Sequence, residues 1–287
     1  MRRLPTLPLL LLACLLAAPG AQAAGRITSH YFRTSDGVRL HYLEAGSGPH
    51  TIVMVPGWTM PAWIFDRQIR AFSRRWRVVA LDPRGQGASA IPPRGYTAPR
   101  RGQDIAELID RLGPRPVVLL GWSLGVLDSL AYVHAHGDRR LAGLVLVDNS
   151  VGEEPPPAPP PYSRPEPRLP RAQKMGLFVR GMFDRPQPRP WLNRLTEAAL
   201  RTPPAAARAL LSYDEPRSYW RDAVYGAARP LLYVVRPRWE AQAANLRAKR
   251  PDTETIVMRG VGHALFVDAA SRFDASVESF LRSRVWP

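Results

Sequence analysis

The chain has almost no cysteine, because its 287 residues include only Cys14. A single thiol excludes a framework of disulfide bonds and any metal site built from several cysteines. The composition, 45% hydrophobic and 22% charged, allows a sizeable buried core at this length and excludes global disorder. The sequence is therefore typical of a globular protein that does not depend on disulfides.

Lysine is also scarce, since all but two of the 40 basic residues are arginine, the exceptions being Lys174 and Lys249. This bias, beside abundant alanine and proline, is typical of a GC-rich genome. The formal net charge of +16 would suit an anionic partner. Because the arginines are scattered along the chain, we predict a solvated basic surface and no nucleic-acid partner.

Long apolar runs are absent beyond the N-terminal region, so we predict no transmembrane segment in the mature chain. At the N-terminus, Met1–Arg3 is positively charged, Leu7–Ala18 is apolar and Ala21–Ala23 offers small residues for cleavage. This order is typical of a secretory signal peptide over residues 1–23. We therefore expect a mature chain that begins near Ala24 and is periplasmic or secreted.

A lipid anchor is the alternative at this end of the chain. Leu11–Cys14 resembles a lipoprotein-processing sequence, in which Cys14 would be acylated and become the new N-terminus. Cleavage after Ala23 would instead leave the mature chain without cysteine, which suits an oxidising compartment.

Short valine-rich runs alternate with stretches of helical period, which predicts a βα alternation and a largely parallel sheet. The first two strands, joined through Asp36 and Gly37, form a predicted antiparallel hairpin. The predicted strands are His30–Arg33, Leu40–Glu44, Thr51–Val55, Val78–Leu81, Val117–Leu120, Leu144–Val147, Leu231–Val235 and Thr255–Met258. The predicted helices are Asp66–Phe72, Gln103–Leu112, Leu124–His136, Ala241–Lys249 and Arg272–Arg282.

The alternation stops between residues 149 and 229. A proline-rich segment, Glu153–Pro170, is followed by amphipathic pieces that carry several aromatic residues and methionines. We interpret the whole interval as a proline-rich tether and a small helical cap, inserted between core segments 24–148 and 230–287. A cap of this kind would roof a pocket with its own apolar face.

Gly121–Gly125 has the pattern G-x-S-x-G, with Ser123 at its centre, between a buried strand and a helix. A serine nucleophile needs a sharp turn that exposes its Oγ, and flanking glycines avoid collisions where the strand and helix pack closely. The same sequence without this context would carry little information. Ser123 is therefore the predicted nucleophile.

His263 follows the last predicted strand and is the only histidine in the C-terminal half of the chain. Its loop would bring an imidazole to the carboxyl ends of the strands, beside Ser123. Imidazole, with an ordinary pKa of about 6.5, can take a proton from a hydroxyl and return it near neutral pH. His263 is the predicted base, and the five earlier histidines are assigned no chemistry.

Four motifs in order resemble those of α/β-hydrolase-fold proteins, of the esterase-like group with a helical cap: Pro56–Trp58, Asp82–Gly87, Gly121–Gly125 and Gly260–His263. The resemblance covers about residues 27–280. It implies a mostly parallel eight-stranded sheet flanked by helices, with the cap inserted after the sixth strand.

The resemblance also implies an oxyanion hole made by the backbone N–H groups of Trp58 and Leu124. The family more often has His-Gly where this chain has Pro56–Gly57. The Asp82–Gly87 stretch is interpreted as a structural turn.

The acid of the triad is the point at which this chain departs from the family pattern. Most relatives carry an aspartate after the seventh strand, whereas Leu231–Val235 runs into an arginine and proline segment that ends at Glu240. Some members place the acid after the sixth strand, where this chain has Asp148. The order Ser123, Asp148, His263 is that of the fold. Asp148 is the predicted acid, and the alternatives are Glu240, Glu153, Glu154 and Asp268.

These residues predict hydrolysis of a carboxylic ester through an acyl-enzyme. The serine argues against epoxide hydrolase and dehalogenase chemistry, for which the resemblance implies an aspartate nucleophile. We expect no cofactor, no metal and a small-molecule ester with an apolar acyl group; the oligomeric state is left open. The alternatives are an amide, lactone or C–C bond hydrolase, an acyltransferase, or an inactive ligand-binding protein on the same scaffold.

Overall fold

The computed structural model describes residues 25–157 and 169–287, and these fold around one eight-stranded sheet. The strand order is β1-β2-β4-β3-β5-β6-β7-β8, and β2 is antiparallel to both of its neighbours while every other pair is parallel. The strands are β1 Thr28–Arg33, β2 Arg39–Ala45, β3 Thr51–Val55, β4 Arg77–Asp82, β5 Val117–Trp122, β6 Leu141–Val147, β7 Leu231–Val235 and β8 Glu254–Val257.

Helices cover both faces of the sheet, which explains why the central strands are apolar throughout. In β3, Val53 and Val55 face one layer of helices while Ile52 and Met54 face the other. The first layer contains α2, α3, α7 and α8, and the second contains α1 and α10. The described helices are α1 Asp66–Phe72, α2 Ala98–Arg111, α3 Leu124–His136, α4 Arg171–Arg180, α5 Arg189–Leu200, α6 Pro204–Ala209, α7 Arg217–Gly226, α8 Glu240–Lys249, α9 Leu265–Asp268 and α10 Ala270–Phe280.

The predicted α/β class, the N-terminal hairpin and the mostly parallel eight-stranded sheet are confirmed. The helix predicted to begin at Gln103 begins at Ala98 instead. Pro99 lies in the first turn, where a missing N–H costs no helical hydrogen bond. Gly102 is required because a Cβ atom there would lie 2.7 Å from the backbone of Ala131. A proline and a glycine thus belong to this helix, although both are usually read as helix breakers.

The last elements also differ slightly from their predicted bounds. The predicted strand Thr255–Met258 is displaced by one residue toward the N-terminus, as β8. The predicted helix Arg272–Arg282 begins two residues earlier, as α10, and continues after Phe280 as a short π-helical turn over Leu281–Val285. Element ends fray, and such shifts do not change the topology.

The interval between β6 and β7 contains α4 to α7. α4 packs against α5, whereas α7 packs against α3 of the core. Residues 158–168 of the predicted proline-rich segment lie outside the described residues, as does the predicted signal peptide. No helix within residues 25–157 or 169–287 combines the length and apolar composition needed to cross a bilayer.

Candidate active site

Ser123 stands at the sharp turn between β5 and α3. Its backbone has φ 56° and ψ −121°, and its N–H donates to the carbonyl of Val147 at 2.9 Å. A Cβ atom on Gly121 would lie 2.2 Å from the carbonyl oxygen of Gly125, and one on Gly125 would lie 2.2 Å from that of Val55. Both glycines are therefore required by close approach of the backbone. The turn presents the serine hydroxyl at the carboxyl end of the parallel strands.

His263 lies on the loop between β8 and α9, and its Nε2 is 2.8 Å from Ser123 Oγ. The loop is held from two sides. Trp122 Nε1 donates to the carbonyl of His263 at 2.9 Å, and the N–H of Gly262 donates to the carboxylate of Asp268 at 2.7 Å. The residue before Ser123 and the residue before His263 thus both help to hold the loop that places the imidazole beside the serine.

Asp148 follows β6 and is fully buried, with 0% of its surface exposed. Its φ of 53° lies in the left-handed region, which aspartate tolerates better than most residues, and its N–H donates to Val234 O at 2.9 Å. Its Oδ2 is 2.6 Å from His263 Nδ1. We assign the proton to Nδ1, because the carboxylate can only accept; Nε2 then accepts from the hydroxyl of Ser123.

Asn149 joins the end of β6 to the serine turn. Its Nδ2 donates to Ser123 O at 2.9 Å, and its carbonyl accepts from the hydroxyl of Tyr233 at 2.6 Å. Burial raises the pKa of Tyr233 well above its ordinary value, and the charge of Asp148 acts in the same direction. Tyr233 therefore stays protonated and remains a donor to this loop.

The four alternative acids are Glu240, Glu153, Glu154 and Asp268, and each has other partners. Glu240 accepts two hydrogen bonds from Arg259, at 2.7 and 2.8 Å. Glu153 is buried and accepts from Lys249 at 2.9 Å. The other two bind an arginine and backbone N–H groups, respectively. Of the five acids, the structure brings Asp148 to the imidazole.

Arg236, which sequence reasoning did not single out, binds the same carboxylate. Its Nε donates to Asp148 Oδ2 at 2.6 Å and its backbone N–H donates to Oδ1 at 3.0 Å. Its Nη2 lies 3.4 Å from His263 Nδ1. In the family pattern the loop after β7 carries the acid. In this chain the loop carries Arg236, which binds the acid that follows β6. The sequence feature that could have indicated this role is an arginine directly after β7, where relatives have an aspartate nearby.

The two residues predicted to donate to an oxyanion, Trp58 and Leu124, lie on two segments that approach Ser123. Leu124 opens α3, so its N–H has no carbonyl partner one turn earlier in the helix. A Cβ atom on Gly57 would lie 2.9 Å from Ser123 Cβ, which shows how closely the loop after β3 approaches the serine. Trp58 follows in that loop, and its indole N–H donates to Ala207 O in α6 at 2.7 Å. Two backbone segments therefore meet beside the hydroxyl.

Gln86 holds the loop that carries Trp58 and was also missed. Its Oε1 accepts from the N–H of Thr59 at 2.6 Å, and its Nε2 donates to the carbonyls of Gly57 and Met60 at 3.2 and 3.3 Å. The side chain is fully buried. The turn that contains Gln86 therefore has a structural role, because it positions the loop of the candidate site that carries Trp58.

A cavity of about 540 Å³ opens beside Ser123 and His263. Phe178 and Met182, from the α4 end of the inserted interval, supply apolar wall, as does Trp239 after β7. Arg236 and Arg238 line the same cavity. Its volume falls within the range typical of small-molecule sites.

Comparison with known proteins places this geometry in a family. A model of the alpha/beta hydrolase family matches residues 52–275. A non-heme haloperoxidase from Rhodococcus erythropolis is 35% identical over 118 residues, which cover 41% of this chain and 43% of that protein. The chain thus matches less than half the length of that relative.

Two further matches cover nearly all of the described fold. An N-formylmaleamate deformylase from Pseudomonas putida is 28% identical over 268 residues, which cover 86% of this chain and 94% of that protein. An esterase from Rhodococcus sp. ECU1013 superposes with a TM-score of 0.75 at 23% identity, over 89% of this chain and 99% of that chain, and supports the fold alone. Because the family model matches most of the length of this chain, the chain belongs to the alpha/beta hydrolase family.

Proposed function

We propose that this protein is a serine hydrolase that cleaves a carboxylic ester through an acyl-enzyme intermediate. The observation that carries the proposal is the unbroken contact from Ser123 Oγ to His263 Nε2 at 2.8 Å, and from His263 Nδ1 to Asp148 Oδ2 at 2.6 Å. The three side chains come from three loops at one end of the sheet, and the serine stands on a turn that exposes its hydroxyl.

In the first half-reaction, Ser123 Oγ attacks the ester carbonyl carbon while His263 Nε2 accepts the hydroxyl proton. Negative charge develops on the carbonyl oxygen, which accepts hydrogen bonds from the N–H groups of Leu124 and Trp58. Such donors are each worth about 3–4 kcal/mol in comparable sites. The imidazolium then protonates the departing alcohol as the C–O bond breaks, which leaves the acyl group on the serine.

In the second half-reaction, water attacks the acyl carbon and His263 takes one of its protons. Collapse of the tetrahedral intermediate returns that proton to Ser123 Oγ and releases the carboxylic acid. The carboxylate of Asp148 stabilises the imidazolium. Arg236 keeps the carboxylate in place through its Nε and backbone N–H. No step calls for a cofactor.

The ester is the preferred candidate because an alcohol is a better leaving group than an amine, and the cavity wall offers apolar surface for its acyl group. The second candidate is an amide, since the relative with 94% of its length covered is named a deformylase. Matched ester and amide substrates with one acyl group distinguish them. We expect the ester to be cleaved at least ten times faster; preferential cleavage of the amide would assign the second function.

Labelling with a fluorophosphonate tests the nucleophile directly. We expect one adduct, on the peptide that contains Ser123, because the oxygen of an activated serine attacks the phosphorus of the probe and displaces fluoride, while the hydroxyl proton passes to the histidine. Heat-denatured protein is the control. A protein that stays unmodified would be an inactive ligand-binding scaffold, and an adduct on another serine would overturn the assignment of Ser123.

We also propose that the chain is exported, on the basis of its charged, apolar and small-residue N-terminal segments. Mass spectrometry of the protein from the periplasmic or culture fraction should find an N-terminus near Ala24. Retention of residues 1–23 in a cytoplasmic protein would contradict export. A diacylated Cys14 would replace the soluble exported form with an anchored one.

A further inference from the structure

Arg238 lines the cavity beside Ser123 and takes no part in the mechanism proposed above. It lies two residues after Arg236, in the short 3₁₀ turn Pro237–Trp239 that follows β7. The side chain is exposed, and its guanidinium carbon lies 5.0 Å from the centroid of the Trp239 ring. The fold therefore keeps a cationic group at the wall of the reaction cavity.

No acidic side chain among the described residues neutralises the positive charge of Arg238. The charge of Asp148, the buried acid in the cavity, is offset by Arg236 through a 2.6 Å contact. The acid nearest to Arg238 in sequence, Glu240, is bound to Arg259 at 2.7 Å. Within residues 25–157 and 169–287, no carboxylate lies at ion-pair distance from Arg238. The cavity thus favours an anion.

We propose that Arg238 binds a carboxylate on the acyl part of the substrate, so that the enzyme prefers half-esters of dicarboxylic acids. This inference rests on the proposed ester hydrolysis. Ser123 and Arg238 line one cavity of about 540 Å³, so one small molecule can contact both. The planar guanidinium matches the two oxygens of a carboxylate.

The apolar wall suits the remainder of such a molecule. Phe178, Met182 and Trp239 line the cavity together with the two arginines. A methylene spacer can lie against these side chains while its two ends reach the serine and the arginine. Hydrolysis consumes one water and gives an alcohol and a dicarboxylate. The apolar acyl group predicted from sequence is thereby extended by a charged terminus.

The test compares two esters of one chain length and one leaving group, monoethyl adipate and ethyl hexanoate, which differ by a terminal carboxylate in place of a methyl group. Ethanol release gives kcat and KM for both. We expect the wild-type enzyme to favour monoethyl adipate by at least tenfold in kcat/KM. Because the effect is electrostatic and partly exposed, the preference should shrink as ionic strength rises.

The variant Arg238→Gln should lower kcat/KM for monoethyl adipate at least tenfold, mainly by raising KM. It should change kcat/KM for ethyl hexanoate less than twofold. Arg238→Lys keeps the charge but not the fork and should retain part of the preference. The matched control is Arg247→Gln, which removes an equal charge from an exposed position of α8 outside the cavity, and should leave both substrates unchanged.

The possible outcomes distinguish failure of the carboxylate site from failure of the proposed ester hydrolysis. Turnover of ethyl hexanoate without preference for the charged ester, or equal losses for both esters in Arg238→Gln, would overturn the carboxylate site and leave ester hydrolysis standing. Failure of the enzyme to cleave either ester, together with no fluorophosphonate adduct, would overturn both. Circular dichroism confirms that each variant is folded; if Arg238→Gln is not, the wild-type preference and Arg238→Lys still decide the matter.

Discussion

The described residues include two sets in which a serine contacts a histidine and the same histidine contacts an aspartate. In the candidate active site, the distances from Ser123 to His263 and from His263 to Asp148 are 2.8 and 2.6 Å. At the antiparallel edge of the sheet, Ser29 Oγ lies 2.7 Å from Nε2 of His41, whose Nδ1 lies 2.7 Å from Asp82 Oδ2. The side-chain contacts of the two sets are nearly the same.

The backbone around the two serines differs. Ser29 lies within β1, in register with Leu43 of β2, where the chain is extended. Ser123 has a φ of 56° and is followed at once by the first N–H groups of α3. In the part of the chain that the structure describes, no helix follows Ser29 directly in sequence. We infer from this difference that hydrogen-bonded side chains do not by themselves make a nucleophile, because backbone donors must also stand where an oxyanion would form.

The two aspartates also have different surroundings. Besides His41, Asp82 accepts from the N–H groups of Ala62 and Ala88, at 2.5 and 2.7 Å, and so fixes two loops. Asp148 accepts from one loop only, that of Arg236, and otherwise faces the imidazole. We therefore assign the edge set to stability and the set at the strand ends to chemistry.

The largest expected effect is that of removing the serine hydroxyl. Ser123→Ala should lower kcat/KM for an ester by about 10⁴- to 10⁶-fold while the fold stays intact, because the covalent step is lost. The matched variant Ser29→Ala should retain activity within twofold. Steady-state kinetics on both, with circular dichroism, measure the contrast. If Ser123→Ala retained most of the activity, Ser123 would not be the nucleophile, and the two sets would no longer differ in function.

The two aspartates should separate activity from stability. Asp148→Asn should lower kcat about 10⁴-fold, since an amide stabilises the wrong tautomer of His263. Asp82→Asn should instead reduce the free energy of unfolding by about 1–3 kcal/mol, because an NH₂ group would face a backbone N–H donor. Its activity per folded molecule should stay within threefold. Kinetics and urea unfolding give the two readings.

Glu240→Gln is the control for the acid assignment, because Glu240 was the principal alternative from sequence and lies in an exposed pair with Arg259. Its activity should be unchanged. A loss comparable to that of Asp148→Asn would show that the acid had been assigned to the wrong loop.

A smaller effect is expected at the loop that carries the second oxyanion donor. Gln86→Leu removes the acceptor of the Thr59 N–H and the donor to Gly57 O, so the N–H of Trp58 is no longer fixed. We expect kcat to fall by about 10- to 100-fold with little change in KM, since the donor acts on the transition state. An unchanged kcat would show that Gln86 is not needed to position the Trp58 N–H.

Much of the fold and part of the site could be predicted from the sequence. Hydrophobic runs and turn residues gave the strands and the hairpin, and a five-residue motif in context gave Ser123. The contacts of Gln86 and Arg236 were not predicted, because no motif indicated their partners; the triad contacts, although they join more distant segments, were predicted from such motifs. The edge contact of His41 with Asp82 likewise depends on the register of β2 against β4, where the two residues are directly paired. No hairpin turn joins β2 to β4, so no turn in the sequence fixes their register.

The smallest expected effect concerns Asp274 of α10, an acid that belongs to neither set. Its variant separates loss of activity from loss of structure in pH experiments. Burial raises the pKa of Asp274 to about 6, and its Oδ1 accepts from Gln68 Nε2 at 2.8 Å. Since the folded-state pKa lies above the unfolded value, Asp274 contributes stability below about pH 4, and that contribution is lost as the pH rises through about 6.

Asp274→Asn should therefore raise the free energy of unfolding above pH 7 by about 1–2 kcal/mol, allowing for the partial exposure of the carboxyl. Because the wild-type carboxyl is protonated in both states below about pH 4, this gain should vanish there. Urea unfolding between pH 3 and 8 measures the difference, and kcat/KM of the folded enzyme should be unchanged by the substitution at each pH. If kcat/KM instead changes in parallel with the free energy of unfolding, the pH profile of activity reports unfolding. That profile would then not distinguish the catalytic set from the structural one.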